Sequence, residues 1–209
     1  MKKRRVVITG LGIVSPVGNT IAEAWRNILN GTSGIATLEN IDTEGQAVTF
    51  GGSVKNFDVS EYLSPKEAKK MDIFIHYGMA AGIQAIEDSG IEVTESNAER
   101  IGVAIGAGIG GLTTIEKTAD LFREKGPKRI SPFFVPSSII NMVSGNLSIK
   151  YGLKGPNFAI VTACTTGTHN IGDASRIIEY GDADMMIAGG TEMSTTNCGL
   201  GGFAAARAL

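Results

Sequence analysis

The fold is decided by the stretch Phe158-Ala159-Ile160-Val161-Thr162-Ala163-Cys164-Thr165-Thr166-Gly167-Thr168-His169-Asn170-Ile171-Gly172. An apolar, partly β-branched run leads through a tight turn at Cys164 into a helical pattern, so the expected order is strand, turn, helix. This order places the Cys164 thiol at a helix N-terminus, where backbone N–H groups lack intrahelical partners and the helix dipole carries partial positive charge. Such a position favours a thiolate and can hold an oxyanion, so Cys164 is the candidate nucleophile. A buried cysteine that only fills a gap in the core is the alternative.

Working outward, four short apolar runs are each followed closely by glycine and are predicted to be strands buried on both faces. They are residues 5–10, Ile101–Gly106, 158–163 and Met185–Gly190. Helical patterns lie between them, and a capping residue or a terminal glycine marks their ends. These patterns are Ile21–Leu29, with Asn19 or Thr20 as its cap, Ile73–Ser89 before Gly90, and 170–180 before Gly181. Alternating strands and helices predict an α/β sheet covered on both sides.

The bulk composition describes a globular chain without a membrane span. It has 209 residues, of which 43% are hydrophobic, and a net charge of −2, so there is no overall attraction to nucleic acid or anionic lipid. The longest uncharged stretch, 130–149, is interrupted by Pro132 and Pro136 and is too polar to cross a bilayer. The basic start, 1–5, is followed by only three apolar residues, which is too short for a signal peptide. We therefore expect a cytoplasmic protein.

Cysteine usage points to a reducing compartment. Cys164 and Cys198 cannot form a disulfide framework, and neither has a CxxC neighbour that would suggest zinc, so no metal site is expected. Cys198 has no recognisable helix start behind it and is interpreted as a packing residue. The pattern 203–209 stops without a cap or a polar tail, which suggests a chain cut inside a domain.

A glycine-rich segment follows the predicted strand Ile101–Gly106 and formally contains GxGxxG at Gly106, Gly108 and Gly111. No strand ending in an acidic residue follows about 20 positions later, as a dinucleotide site requires. We interpret the segment as a glycine-lined wall against which a substrate lies. A nucleotide-binding module is a distant alternative.

The candidate nucleophile has no evident base on its own helix. His169 lies five residues beyond Cys164, which on a helix corresponds to about 7.5 Å along the axis and about 140° around it. The imidazole would therefore point away from the sulfur, and we interpret His169 as a hydrogen-bonded structural residue. His76 lies within the predicted helix Ile73–Ser89 and has no nearby acid or thiol signature.

A second candidate feature is a basic helix that begins at Pro65. Lys66, Lys69 and Lys70 lie on one side of it. They form either a solvated helix face or a patch that receives an acidic partner.

Taken together, the motifs closely resemble the condensing enzymes of the thiolase fold, and within them the β-ketoacyl-[acyl-carrier-protein] synthase II group. The resemblance covers the whole chain, and its motifs occur in order. They include residues 6–12, 108–112, 131–137, 151–156, 162–165, 181–184, 188–192 and 201–209. The resemblance implies a layered α/β, thiolase-like fold with a mixed central sheet, of which residues 1–209 are the N-terminal half of a duplicated architecture. It also implies a truncated ketosynthase domain whose C-terminal half is absent.

The resemblance further implies acyl transfer followed by carbon–carbon bond formation in fatty acid biosynthesis. Cys164 would take an acyl group from acyl carrier protein, and its backbone N–H would form half of the oxyanion hole. The carbanion left when malonyl-carrier protein loses carbon dioxide would then attack the enzyme-bound thioester. Other positions match the acyl pocket and the carrier-protein surface. They are Ala163, Ile109, Phe203 and Phe134 for the pocket, with Ile109 as its gate, and Lys66, Lys69, Lys70 and Arg207 for the carrier.

The resemblance implies no cofactor, since the acyl groups arrive on the phosphopantetheine of acyl carrier protein, and it implies a homodimer. Nothing in this chain matches the family's two catalytic histidines, its supporting lysine or the phenylalanine that completes the oxyanion hole. We therefore predict that residues 1–209 alone cannot condense. A non-catalytic scaffold or dimerisation partner, and a hydrolase or acyltransferase that uses Cys164 without condensation, are the alternatives.

Overall fold

The computed structural model describes residues 4–209; part of the basic run 1–5 therefore lies outside the described residues. Eight α-helices are found in this range. They are α1 Ile21–Leu29, α2 Pro65–Ala68, α3 Ile73–Ser89, α4 Leu112–Lys125, α5 Phe134–Ser138, α6 Met142–Tyr151, α7 Thr166–Tyr180 and α8 Asn197–Ala205. The strands are β1 Ala36–Thr37, β2 Phe50–Gly51, β3 Ile101–Gly106, β4 Asn157–Phe158 and β5 Met185–Gly190.

The central sheet has the order β4-β3-β5, and its strands run parallel. The β3–β5 pairing runs from Ile101 opposite Met185 to Gly106 opposite Gly190, so both strands end at the same edge. Antiparallel pairing is found between β1 and β2, which form a separate two-stranded sheet.

Strand β3 is buried along its whole length, as predicted. Its residues Ile101, Val103 and Ile105 belong to the hydrophobic core formed with α3 and α6. Successive strand residues face opposite sides of a sheet, and a Cβ on Gly106 would touch Thr166 and Asn170 of α7. Helices therefore cover both faces of β3. The prediction of two buried faces was wrong for β5, in which Ile187 alone is buried, because β5 is an edge strand of the described sheet.

The predicted helices Ile21–Leu29 and Ile73–Ser89 are confirmed at both ends. The Thr20 hydroxyl accepts a hydrogen bond from the Glu23 N–H, so Thr20 is the cap of α1. Gly90 and Gly181 adopt left-handed backbone conformations at the ends of α3 and α7, as a helix-terminating glycine does. Helix α7 begins at Thr166, four residues earlier than the pattern predicted.

The predicted strand at residues 5–10 was wrong, since this segment has no regular structure. It packs beside α3 and is followed by backbone N–H groups that bond to side chains of that helix. The Leu11 N–H donates to Asp88 at 2.9 Å, and the Ile13 N–H donates to Gln84 at 3.1 Å. Val7 and Ile8 remain 62% and 78% exposed.

The predicted strand at 158–163 was also largely wrong, because β4 ends at Phe158. Beyond it, the carboxamide of Asn170 bonds both backbone groups of Ile160 at 3.0 Å. The Thr162 N–H donates to the Thr166 hydroxyl at 3.0 Å. Side chains of α7 therefore take the place of a neighbouring strand. No helix within residues 4–209 is long and apolar enough to cross a membrane.

Candidate active site

Cys164 lies in a 3₁₀ turn, Ala163–Thr165, directly before the first residue of α7. Its side chain is exposed and its thiol is free. The turn is held by Thr165, whose N–H and hydroxyl both donate to the Thr162 carbonyl, at 3.1 and 2.8 Å. The predicted position of the thiol at a helix start is confirmed.

Ala163, the residue before the nucleophile, has a backbone φ of +51°. A left-handed conformation brings the Cβ of an L-residue close to the following carbonyl and costs about 1–2 kcal/mol. Strain of this kind persists only where the surrounding structure enforces it, and it is concentrated at functional sites. The turn therefore presents Cys164 through a strained backbone, and the side chain of Ala163 is exposed next to it.

His169 has partners other than the thiol. Its Nδ1 lies 3.3 Å from the Thr162 hydroxyl, and its Nε2 lies 3.6 Å from a carboxylate oxygen of Asp173. The interpretation of His169 as a hydrogen-bonded residue is confirmed. His76 is likewise bonded, through Nε2, to the Ala68 carbonyl at 2.9 Å.

The glycine-rich segment after β3 lies against the Cys164 turn. A Cβ on Gly108 would lie 3.4 Å from both the Cα and the carbonyl oxygen of Ala163. The next two N–H groups, of Ile109 and Gly110, donate to the Glu192 carboxylate at 2.7 and 3.2 Å. Ile109 is 44% exposed. The structure therefore places Ile109 and Ala163 on adjoining backbone segments.

Glu192 is a residue of this site to which the sequence analysis assigned no role. It follows β5 by two residues, and parallel strands β3 and β5 end at the same edge of the sheet. The sequence therefore contained one signal that could have identified Glu192, namely an acidic residue just beyond one predicted strand and a glycine loop just beyond another.

Phe134 is the first residue of α5 and is half-buried. Helix α5 is joined to the glycine segment because the Gly111 N–H donates to the Ser138 carbonyl at 3.0 Å. The structure thus connects the elements that carry Phe134, Ile109 and Ala163, three of the four residues expected at the acyl pocket.

Phe203 lies on α8 and is 42% exposed. The start of α8 is fixed by Glu116 of α4, whose Oε1 accepts from the Thr196 hydroxyl at 2.6 Å and from the Cys198 N–H at 3.1 Å. The interpretation of Cys198 as a packing residue without a helix start was wrong, since it is exposed in the first turn of α8. The carboxylate of Glu116 raises the pKa of the Cys198 thiol, because a nearby negative charge disfavours the thiolate.

The basic residues lie on two separate elements. Helix α2 begins at Pro65 as predicted, and Ser64 and Glu67 cap it reciprocally. Lys66 and Lys69 are exposed, whereas the Lys70 ammonium lies 4.9 Å from the centroid of the Phe133 ring. Arg207 follows α8, is exposed, and has a φ of +55°.

Among the open cavities of the described residues, three have volumes of about 300 to 380 Å³. Glu192 lines one of them, but Cys164, Ala163, Ile109 and Phe203 line none. None of these three cavities therefore encloses the candidate pocket residues. Within residues 4–209, no group of three or more histidine, cysteine or carboxylate side chains is placed to hold a metal ion.

The thiol at the start of a long helix, the strained turn and the adjoining glycine loop on a parallel sheet agree with the thiolase-like fold that the sequence motifs implied. The chain belongs to the beta-ketoacyl synthase family, because the family model described as beta-ketoacyl synthase, N-terminal domain, matches residues 3–209. The family and the layered α/β fold expected from the sequence motifs are therefore confirmed. The expectation of a mixed central sheet was wrong for the described residues, because β4, β3 and β5 all run parallel and the antiparallel pair β1–β2 forms a separate sheet.

Among particular relatives, the chain is similar to the 3-oxoacyl-[acyl-carrier-protein] synthase 2 of Vibrio cholerae. The two are 61% identical over 209 residues, which is 100% of this chain and 50% of that protein. The chain thus spans about half the length of the curated relatives it matches.

Solved structures show the same fold. An ishigamide ketosynthase/chain length factor matches with a TM-score of 0.85 and 23% identity, over 96% of this chain and 50% of that one. A type II polyketide synthase ketosynthase, solved in complex with its acyl carrier protein and bound to the hexaketide, matches with a TM-score of 0.83 and 24% identity. That match covers 98% of this chain and 56% of the other. At these identities the likeness concerns the fold alone.

Proposed function

We propose that this chain contributes the acyl-accepting half of a 3-oxoacyl-[acyl-carrier-protein] synthase of fatty acid biosynthesis. The observation that carries the proposal is the exposed Cys164 thiol in a strained turn at the N-terminus of α7, beside the glycine loop. The high identity to 3-oxoacyl-[acyl-carrier-protein] synthase 2 proteins supports the choice of reaction.

In the first step, the Cys164 thiolate attacks the carbonyl carbon of an acyl thioester on acyl carrier protein. A carbon–sulfur bond to Cys164 forms, and the phosphopantetheine sulfur leaves and takes up a proton. The Cys164 N–H lies at the start of α7, where N–H groups have no intrahelical partner, and it donates to the oxyanion that develops on the carbonyl. The acyl group is then held as a thioester.

In the second step, malonyl-carrier protein loses carbon dioxide, and its carbanion attacks the Cys164 thioester. A carbon–carbon bond forms, the carbon–sulfur bond breaks, and the thiolate is regenerated. Residues 4–209 offer no candidate for the histidine pair that activates this step in the family, since His76 and His169 are both engaged elsewhere. The proposal therefore includes the prediction that residues 1–209 alone accept an acyl group at most and do not condense.

The proposed partner is acyl carrier protein, which is acidic and would meet Lys66, Lys69, Lys70 and Arg207. A ketosynthase of the same fold has been solved with its carrier protein, which supports this partner class.

The proposal keeps the expected homodimer, whose contact would include the segment around Val161, an apolar residue that is 47% exposed. It also keeps the cytoplasmic location, with which two free thiols are compatible, and the expectation that no cofactor is needed.

The test is intact-mass spectrometry of the polypeptide as it is naturally produced, after incubation with acyl-carrier protein. We expect one acyl adduct, which Cys164→Ala abolishes. Cys198→Ala is the matched control, because it removes the other free thiol and should leave the adduct in place. Failure of the unaltered protein to form an adduct would favour a non-catalytic scaffold. An adduct that is released to water without malonyl-carrier protein would favour a hydrolase.

A further inference from the structure

The Glu192 carboxylate holds the glycine loop through two adjacent backbone groups. Its Oε2 accepts from the Ile109 N–H at 2.7 Å, and its Oε1 accepts from the Gly110 N–H at 3.2 Å. Hydrogen bonds to an ionised acceptor are shorter and stronger than those between neutral groups. Both oxygens of one side chain are therefore used to fix two consecutive residues.

The same carboxylate lies where the loop meets the nucleophile turn. A Cβ on Gly108 would meet Glu192 Oε2 at 2.9 Å, so a side chain there would displace the carboxylate, and it would be in ordinary contact with Ala163 at 3.4 Å. Gly110 has a φ of +89°, a conformation that favours glycine. The loop is thus enclosed by Glu192 on one side and by the Ala163 backbone on another.

Ile109 is the residue whose position depends most directly on this carboxylate. Its N–H makes the shorter of the two bonds, its side chain is 44% exposed, and the residue before it, Gly108, adjoins Ala163 of the Cys164 turn. If Glu192 did not hold the backbone, the Ile109 side chain could shift relative to Cys164. In the gate role that the family resemblance implies for Ile109, a long acyl chain would need this side chain out of its path, whereas a short chain would not.

We propose that Glu192 is a positioning residue that acts through Ile109 and sets the discrimination between short and long acyl groups at Cys164. This inference rests on the proposed function and on the gate role that the family resemblance implies for Ile109. Glu192 itself touches backbone N–H groups and not the reacting atoms.

The experiment compares Glu192→Gln with the unaltered polypeptide as it is naturally produced. The variant replaces one acceptor oxygen by an NH₂ group, so one loop N–H loses its partner. We expect the ratio of Cys164 acylation rates for hexadecanoyl- over hexanoyl-carrier protein to rise about tenfold, the size of a lost charge-assisted hydrogen bond. Glu23→Gln is the matched control, because Glu23 also accepts a backbone N–H, that of Asn19, at the start of α1. The control should leave the ratio unchanged.

A double-variant cycle tests whether Glu192 works through Ile109. In an Ile109→Ala background, Glu192→Gln should change the ratio no further, because the side chain that it positions has been removed. An unchanged or lower ratio in Glu192→Gln, or an undiminished effect in the Ile109→Ala background, overturns the proposal. Should Glu192→Gln fail to fold, Glu192→Asp keeps the charge and shortens the reach, and the same criteria apply to it.

Amide hydrogen exchange separates failure of this inference from failure of the proposed function. The Ile109 and Gly110 amides should exchange about tenfold faster in Glu192→Gln than in the unaltered protein. Unchanged exchange overturns the positioning role, whatever the activity. If these amides exchange faster but Cys164 never becomes acylated, Glu192 does hold the loop. The proposed function is then overturned, and with it the role of Glu192 in acyl selectivity.

Discussion

The side chain of Asn170 bonds both backbone groups of Ile160 and so determines how the chain approaches the nucleophile. Its Nδ2 donates to the Ile160 carbonyl, and its Oδ1 accepts from the Ile160 N–H, both at 3.0 Å. The same Nδ2 donates to the Thr166 carbonyl at 2.8 Å. Asn170 is fully buried. One carboxamide therefore ties the segment before Cys164 to the first turns of α7.

Replacing Asn170 by alanine should lower the free energy of unfolding by about 2–4 kcal/mol. The change leaves the N–H and carbonyl of Ile160 without partners in a partly buried setting, and each unsatisfied group costs about 1–3 kcal/mol. Denaturant unfolding of the natural polypeptide measures the effect. Asn97→Ala is the control, because Asn97 accepts from the Thr94 N–H and donates to the Glu92 carbonyl at the surface. Its loss should cost about 1 kcal/mol, since water can replace the partners. Equal losses in the two variants would contradict this account.

The contact between Asn170 and Ile160 illustrates why some parts of the fold could be predicted from the sequence and others could not. Helices α1 and α3 were predicted residue by residue because their caps and terminating glycines are local signals. Strand β3 was predicted because an unbroken apolar run is typical of a strand covered on both faces. Residues 5–10 and 159–163 share the same apolar pattern but are not strands. The backbone around them bonds to side chains of α3 and α7, and hydrophobic periodicity does not report such contacts.

The residues of the candidate site likewise fall into those that could be predicted from the sequence and those that could not. Cys164 could be found because the strand-to-helix transition around it is local. Glu116 could not be found, and Glu192 only by pairing the ends of two predicted strands, because both act on residues about 80 positions away, on Cys198 and Ile109 respectively. Their roles depend on β5 lying beside β3 and on α8 lying beside α4, and neither arrangement is contained in the spacing of residues.

The ion pairs at the start of the sheet should make stability depend on pH in the acidic range. Hydrogen bonds from Arg100 and then Arg4 lower the pKa of Asp184 to about 2, from an ordinary value of 3.8. A depressed pKa in the folded state means that the stabilisation is fully present above pH 3.8 and is lost as the pH falls through about 2. Asp184→Asn should therefore lower the melting temperature at neutral pH, and the difference from the unaltered protein should shrink between these two values.

Melting curves recorded from neutral pH down to pH 2 measure this difference. Asp120→Asn is the control, since it removes one exposed ion pair with Arg123 on a single helix. The effect of Asp184→Asn should be small, because both arginines and the carboxylate are well exposed. A difference between the variant and the unaltered protein that stays constant down to pH 2 would show that the two arginines do not stabilise the charged form of Asp184.

The second thiol should become more reactive when its neighbouring carboxylate is neutralised. Glu116 raises the pKa of Cys198, so Glu116→Gln should lower that pKa and increase the thiolate fraction at neutral pH. Peptide-level mass spectrometry after timed alkylation with iodoacetamide measures the rate at each cysteine. Glutamine keeps an oxygen that can accept from the Cys198 N–H, so the start of α8 should be preserved. Faster alkylation at Cys164 as well as Cys198 would indicate general loosening of the fold instead.

Reversing the charge of Lys66 and Lys69 should weaken productive encounter with acyl carrier protein. Lys66 lies on α2 and Lys69 directly follows it; both side chains are exposed, and charges at the rim of an interface act mainly on association. We expect Lys66→Glu combined with Lys69→Glu to raise the KM for acyl-carrier protein about tenfold in the acylation of Cys164, with kcat nearly unchanged. The effect should decrease as salt is added, because screening shortens the reach of exposed charges.

Lys70 is left unaltered because its ammonium lies over the Phe133 ring, so a change there would also disturb packing. Lys154→Glu, at an exposed lysine before β4, is the matched control and should leave KM unchanged. A decrease in kcat at unchanged KM would assign α2 to the chemistry rather than to the docking of the carrier.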